Sequence, residues 1–524
     1  VAEHHLSALA ALLHRFGQLA SEPLPAHGVE ADPRIATVRY DSRQVRAGDL
    51  FVARRGQHID GHAHVAAAVA AGAAAVIVER PMPGIEVPEL VVCDAKVALG
   101  LAAAWRAGDP SRSLGIVGIT GTDGKTTTAY MVRAILEAAG LPTGLLGTTD
   151  VIVGGESLGN VARTSTPEAP ELQRYLADML AGGDEWAVVE SSSHGLAQHR
   201  VSGVAYDVAV LTNVTSEHLE FHGTLDAYRA AKRSLFARLA LSDGNPEKGW
   251  GKHAVLNADD PEGDAAAAVA AAAGARVWRY GLAGTAAGRH PAGLDLVASH
   301  LEDGPDGMRA AVQAGDWVGT LRLRMAGRFN VANALAALGV AAALRLDLDL
   351  AAGALAELEG VPGRMQRIDD GQPFRVVVDY AHTAEALAKV LDELRPSDPA
   401  GGVIAVFGSA GERDRSKREP MGRVAGERCR LVIVTDEDPR GEDRMAILDA
   451  VAAGAEAVGK RRGEDLLVIP DRREAIATAM RLARPADAVL LAGKGHEKTI
   501  EMAAGELPWD EAAEARAALK ERRH

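Results

Sequence analysis

Short apolar runs recur along the chain, each followed by a longer stretch in which apolar positions return at helical spacing. In "SLGIVGIT", "WAVVE", "VAVLT" and "HAVLN" the runs are nearly continuous. That pattern predicts strands buried on both faces of a mostly parallel sheet covered by helices. A second set, "FRVVVDYA", "GVIAVFG", "RLVIVTDED", "DLLVIPD" and "DAVLLAG", repeats the alternation and predicts a doubly wound, Rossmann-like domain. Ahead of both, "IATVRYDSRQVRAGDLFVA" places two short β-rich runs around a glycine turn, and "GHAHVAAAVAAGAAAVIVE" reads as an alanine-rich helix feeding a strand at Ala75 to Val78. Stricter alternation in "LDLVASHLEDGPDGMRAAVQAGDWVGTLRLRM" predicts an antiparallel extension of the central sheet, and "GRFNVANALAALGVAAALRL" a long helix after it. The expected fold is therefore α/β with three domains. These are a small N-terminal α/β domain (1–110), a central phosphate-loop ATPase-like domain (111–345) and a C-terminal Rossmann-like domain (346–524), with hinge freedom around Gly363 in "VPGRMQ".

Composition narrows the classes. With 524 residues, 47% of them apolar, the chain can build several cores, and aromatic residues at only 4% predict thinly packed, alanine-rich helices. A formal charge of -14 disfavours binding to polynucleotides and leaves small anions as ligands wherever basic residues converge. Cys93 and Cys429 lie far apart, so neither a disulfide scaffold nor a cysteine zinc site is expected. The opening "VAEHHLSALAALLHRFGQLA" reads as an amphipathic helix and not as a signal peptide, and no long apolar run follows, so a cytoplasmic monomer without membrane partners is the expectation.

The chemistry concentrates in "TGTDGKTTT". Strand, glycine-bearing turn and helix follow one another here, so backbone amides can hold phosphate oxygens, Lys125 can balance their charge and Thr126 can offer a hydroxyl to magnesium. The usual loop pattern asks for glycine where Ile119 stands, so this is not the common kinase or GTPase loop. Glu190, at the end of "WAVVE", is placed where sheets of this class present ligands; a strand-end cap is its plainer reading. His194, His218 and His222 lack a zinc-hydrolase spacing, and Lys232 borders an apolar helix stripe as a snorkelling lysine would.

Several motifs in order, "YDSR", "TGTDGKTTT", "ESSSHGLAQHRV", "EHLEFHGTLDAYRAAKRSLF", "NADDP", "GRFNVANALAA", "PGRMQ", "VDYAHT", "GERDRSKREPM" and "LAGKGHE", make the chain resemble the Mur ligase family over nearly its whole length. These are ATP-dependent enzymes that add amino acids to the peptidoglycan precursor. The resemblance implies the branch that joins a diamino acid to the D-Glu of UDP-N-acetylmuramoyl-L-Ala-D-Glu, through an acyl phosphate, with ATP and Mg²⁺. It implies an ATP site of Gly121, Thr122, Asp123, Gly124, Lys125, Thr126 and Thr127 with Asn330, Arg364 and Asp379. Lys125, Glu190, His218 and Lys232 become catalytic, and Thr126, Glu190, His218 and a carbamylated Lys232 become the metal contacts. The UDP-sugar peptide is assigned to Ser42, Gln57, His58 and Ile59, then Thr164, Ser165, Thr166, Ser192, Gln198 and Arg200; Thr164 replaces the family's common asparagine.

For the incoming diamino acid the resemblance implies Arg413, Glu437, Asp438, Pro439, Arg440, Gly493 and Glu497. Family members using meso-diaminopimelate usually carry D-N-P-R where this chain has Glu437-Asp438-Pro439-Arg440. A guanidinium at Arg440 matches the distal carboxylate of diaminopimelate, whereas the extra negative charge favours L-lysine or L-ornithine. Diaminopimelate is the preferred expectation, with the other two and a folylpolyglutamate-type or other Mur ligation as alternatives.

Overall fold

The computed structural model describes all residues except 1–3, 21–31, 57–58, 160–163, 216, 241–247, 249, 285–292, 305–306, 397 and 523–524. The described residues group into two compact units. One holds 1–301, 310–321 and 331–355, the other 302–309, 322–330 and 356–524.

In the first unit, Val38–Arg39, Leu50–Val52, Ala75–Val78 and Glu89–Val91 pair in parallel in that order. The two β-rich runs around the glycine turn thus lie parallel, and the chain between them crosses over through the short turn Ser42–Gln44, because a parallel pair cannot be closed by a tight hairpin. The helix Ala95–Arg106 starts at Asp94, whose carboxylate accepts from Lys96 N and Val97 N, and buries Ala98, Leu99 and Ala102.

The larger sheet has Val208–Leu211, Gly115–Thr120, Trp186–Glu190 and Thr143–Leu146 side by side and parallel. Every residue of Gly115–Thr120 is buried, as expected for a strand covered on both faces; each large apolar side chain so enclosed contributes about 1.5–3 kcal/mol. Its start is pinned by Asp207, which accepts from Ile116 N at 2.8 Å and pairs with Lys248 and Lys252 at 2.7 and 2.9 Å. The expected extension departs from the reading at its first pairing: Leu296–Gly304 joins Arg276–Leu282 in parallel, residues 283–295 giving enough chain for a crossover. Gly307–Ala314 and Trp317–Leu323 follow it in order.

The second unit orders Gln366–Ile368, Arg375–Asp379, Ala488–Ala492, Val403–Phe407, Leu431–Val434 and Leu466–Val468 in one sheet, parallel except for the first pair. The five apolar runs become its five parallel strands. Gly363, expected to lend hinge freedom, has φ 66° and lies so close to the Gly495–His496 backbone that a Cβ would collide with it. Packing inside the unit therefore explains this glycine. Among the described residues no helix is long and apolar enough to cross a membrane.

Candidate functional site

The strand Gly115–Thr120 runs into a turn that the tips of neighbouring elements hold from outside. Thr122 N donates to Asn213 O at 2.7 Å and Asp123 N to Asn213 Oδ1 at 2.9 Å, while Thr212 Oγ1 donates to Asp123 O at 2.6 Å. Gly121 and Gly124 have φ of 156° and 81°, and a Cβ on either would strike Thr212 Oγ1 or Asn333 Oδ1. Ile119 lies before this turn, fully buried in the strand and opposite Glu190 in register. Glycine is not needed at a strand position, which accounts for the unusual loop pattern. Gly124 is the N-cap of the helix Lys125–Ala138, so free amides at the helix start face the turn.

Two lysines converge on one carbonyl. Lys125 Nζ donates to Gly121 O at 3.0 Å and Thr122 O at 2.7 Å, and Lys232 Nζ also donates to Gly121 O. Lys232 is only 1% exposed and lies 4.5 Å from the Tyr228 ring centroid. Burial, and then the charge of Lys125, hold its ammonium well below the usual lysine value. Tyr228 closes the back of the turn through its hydroxyl, 2.8 Å from Thr122 Oγ1.

Beside the turn, Glu190 is fully buried. Its carboxylate accepts from Thr126 Oγ1 at 3.1 Å and from Thr148 N and Oγ1 at 3.0 and 2.9 Å, with no cationic partner among the described residues. A buried carboxylate satisfied only by neutral donors, two of them threonine hydroxyls, is a set of hard oxygens that fits Mg²⁺. His218 falls in a ring cluster, with centroids 4.6 Å from His194, which in turn is 5.5 Å from His222; Glu217 Oε2 is 3.6 Å from His218 Nε2. Among the described residues there is no group of three or more His, Cys, Asp or Glu arranged to hold a metal.

Of the residues that the resemblance assigns to the sugar peptide, Ser165, Thr166 and Ser192 lie at the same strand end. Thr166 Oγ1 donates to Glu190 O at 2.8 Å and accepts from Ser192 N at 3.0 Å, and the Ser165 and Thr148 hydroxyl oxygens lie 2.8 Å apart. Arg200 is held by Gln198, by Thr166 O at 2.9 Å and by Glu168 at 3.0 Å; Glu168 also binds Arg54 at 2.7 Å. Thr164 is half-buried, Ser42 opens the turn after Asp41 and Ile59 is 64% exposed. Gln57 and His58 lie outside the described residues.

In the second unit, Asn330 and Asp379 each bind backbone of that unit. Asn330 Nδ2 donates to Ala326 O at 2.7 Å, and the Asp379 carboxylate accepts from Met365 N and Ala381 N, both at 2.8 Å. Arg364 lies over the Tyr380 ring at 4.8 Å.

The loops after Leu431–Val434 and Ala488–Ala492 meet in a dense ionic cluster. Lys494, 1% exposed, pairs with Asp438 at 2.7 Å and Glu497 at 2.6 Å; Arg440, at φ 52°, pairs with Glu501 at 2.7 Å. Burial raises the Glu497 carboxyl, opposed by Lys494. Glu437 is buried with Oε2 unpartnered among the described residues, only 2.8 Å from where a Cβ on Gly493 would sit. Arg413 is exposed on the preceding loop. Pro439 O, packed against Gly411, fixes the turn between Asp438 and Arg440. The sequence reading missed Thr148, Glu168 and Lys494. Lys494 had a signal, since "GKGHE" places a cation three residues before an acid.

The chain matches three family models: "Mur ligase family, catalytic domain" over 34–99, "Mur ligase middle domain" over 119–341 and "Mur ligase, glutamate ligase domain" over 363–495. It is 50% identical over 502 residues to UDP-N-acetylmuramyl-tripeptide synthetase of Roseiflexus sp. (strain RS-1), covering 95% of this chain and 97% of that protein. It is 40% identical over 498 residues to UDP-N-acetylmuramoyl-L-alanyl-D-glutamate--2,6-diaminopimelate ligase of Geobacter metallireducens, covering 92% and 93%. A solved structure of a 2,6-diaminopimelate ligase of that same description aligns with TM-score 0.66 at 31% identity, over 94% of this chain and 96% of that one.

Proposed function

Because the chain belongs to the Mur ligase family, we propose that it is an ATP-dependent amide ligase joining a diamino acid to the D-Glu carboxylate of UDP-N-acetylmuramoyl-L-Ala-D-Glu in peptidoglycan precursor synthesis. The observation that carries this reading is the turn Gly121–Gly124 with Lys125 and Lys232 on one carbonyl and Glu190 beside it. In the reaction, a carboxylate oxygen of D-Glu attacks the γ-phosphorus of ATP and ADP leaves. The amine then attacks the acyl carbon, the C–O bond breaks, phosphate leaves and the amine's proton is lost.

Turn and helix-start amides bind the phosphates, and Lys125 leaves the carbonyls it touches to neutralise the transferring phosphoryl group. Thr126 and Glu190 would hold Mg²⁺, with His218 as a further contact; bound with ATP, the ion supplies charge neutralisation for phosphoryl transfer. Lys232 has the environment that carbamylation requires. Burial favours its neutral amine, whose nitrogen attacks CO₂ and loses a proton, placing an anion beside Lys125. Arg200, held by Gln198 and Glu168, is the fork for a substrate carboxylate or phosphate.

Meso-diaminopimelate is the diamino acid this cluster fits best. The charge of Asp438, which as a sequence feature favoured lysine, is already neutralised by Lys494. Glu437 Oε2 remains for an ammonium group, and the exposed Arg413 for the distal carboxylate, with Glu497 and Arg440 exchanging their present partners Lys494 and Glu501 for the ligand. L-lysine keeps one supporting observation, the engagement of Arg440 by Glu501. ADP release is to be measured with the UDP-dipeptide and each of meso-diaminopimelate, L-lysine and L-ornithine. Release dependent on the UDP-dipeptide and fastest with diaminopimelate is expected. Release unchanged without either acceptor rejects the ligase reading, and preference for lysine rejects the pocket assignment.

A further inference from the structure

Arg472 is the first residue of the helix Arg472–Leu482, 2% exposed, and its guanidinium binds three separate segments. Nε meets Glu511 Oε1 and Oε2 at 3.1 and 3.0 Å, and Nη2 meets Oε1 at 2.6 Å. Nη1 donates to Asp436 O at 2.9 Å and Nη2 to Ala492 O at 2.8 Å. Those carbonyls belong to the residues immediately before Glu437 and Gly493. Glu511, fully enclosed, also accepts from Trp509 Nε1 at 2.6 Å.

A buried ion pair is a poor device for stability alone, because desolvating both charges offsets most of their attraction. A planar fork with fixed donor directions is nevertheless a good ruler. The slot it spans is narrow, with Glu437 Oε2 only 2.8 Å from the Cβ position of Gly493, so a small separation of the loops changes what an incoming ammonium meets. The strand between them, Val403–Phe407, contributes no side chain to this link.

We propose that Arg472, with Glu511 as its counter-ion, is a positioning residue for the diamino acid: it sets the spacing of the loops Glu437–Arg440 and Gly493–Glu497. This rests on the assignment of those loops to the diamino acid. Lysine at 472 keeps the charge but cannot bind two carbonyls and a carboxylate in one plane.

The test uses the full chain with Arg472→Lys and Glu511→Gln, folding verified by circular dichroism. The expected result is a KM for the diamino acid raised about tenfold in Arg472→Lys and about threefold in Glu511→Gln, with KM for ATP and the UDP-dipeptide within about twofold of wild type. Hydrogen exchange should quicken in residues 436–440 and 493–497 together. An unchanged diamino acid KM, or an equal rise in all three KM values, overturns the proposal. Should Arg472→Lys not fold, Glu511→Gln decides by the same criteria. If wild type itself shows no diamino acid dependence, the functional reading has failed; exchange unchanged in both loops then also overturns the positioning role, and faster exchange in both upholds the ruler.

Discussion

The phosphate turn and the C-terminal ionic cluster handle charge in opposite ways. Around Gly121, two lysines crowd one carbonyl and neither forms an ion pair among the described residues. Around Lys494, almost every charge is matched, Asp438 and Glu497 to Lys494, Arg440 to Glu501 and Arg472 to Glu511. On the proposed reading, the polyanion site is shaped by backbone and keeps Lys125 without a carboxylate partner among the described residues. On the same reading, the zwitterion site is shaped by internal pairs and leaves one acceptor, Glu437 Oε2, open. The comparison teaches where substitutions act: on turnover in the first region, on selectivity and spacing in the second.

The largest expected effect is at the turn. Lys125→Ala should lower turnover about 10³-fold and weaken ATP binding, because fixed amides cannot supply a mobile charge; calorimetry with ATP and steady-state rates check it. Next, Lys232→Met should also lower turnover, by less than Lys125→Ala, yet raise Tm by ~2 °C, since it removes a buried amine that must shed its proton on folding. The sign follows from the lowered pKa. Between that value and 10.5 the unfolded chain holds a proton that the folded chain lacks, so the stability of the lysine form rises with pH and the advantage of methionine shrinks toward 10.5. Scans across pH measure it; a methionine variant that melts lower at neutral pH would place Lys232 among the paired, stabilising charges.

In the second region effects are smaller. Glu437→Gln should raise the diamino acid KM about tenfold with the KM for ATP unchanged, the loss of one charge-assisted bond; equal KM values would leave the open oxygen without its ligand. Smallest is Glu442→Gln. Hydrogen bonds from Arg418 hold the Glu442 carboxyl down at about 2, so its stabilisation is present above 4.5 and lost as pH falls through 2. A slight drop in Tm at neutral pH that vanishes at that acid end is expected.

Legibility in the sequence follows the same division. "GIVGIT" and "GKTTT" are contiguous, so strand, turn and helix start could be read directly, and the positions of Lys125 and Thr126 with them. The five apolar runs of the C-terminal region likewise became strands. What stayed hidden depends on pairing between distant residues. Thr148 meets Glu190, Glu168 joins Arg54 to Arg200, and Arg472 finds Glu511 across 39 positions. Apolar periodicity carries no information on such partners. The same is true of the parallel pairing of Leu296–Gly304, where alternation fixes which face is buried but not the neighbour's direction. Asp438 shows the consequence most clearly, because its charge argued for one substrate until Lys494 was found beside it.

The central claim is that a substrate carboxylate is phosphorylated at the turn Gly121–Gly124 before an amine captures it. Labelling both D-Glu carboxylate oxygens of the UDP-dipeptide with ¹⁸O and analysing the phosphate released with the diamino acid present tests this directly. The account predicts one ¹⁸O per released phosphate, because the C–O bond breaks when the amine attacks. Phosphate free of label, with amide product still formed, would contradict it.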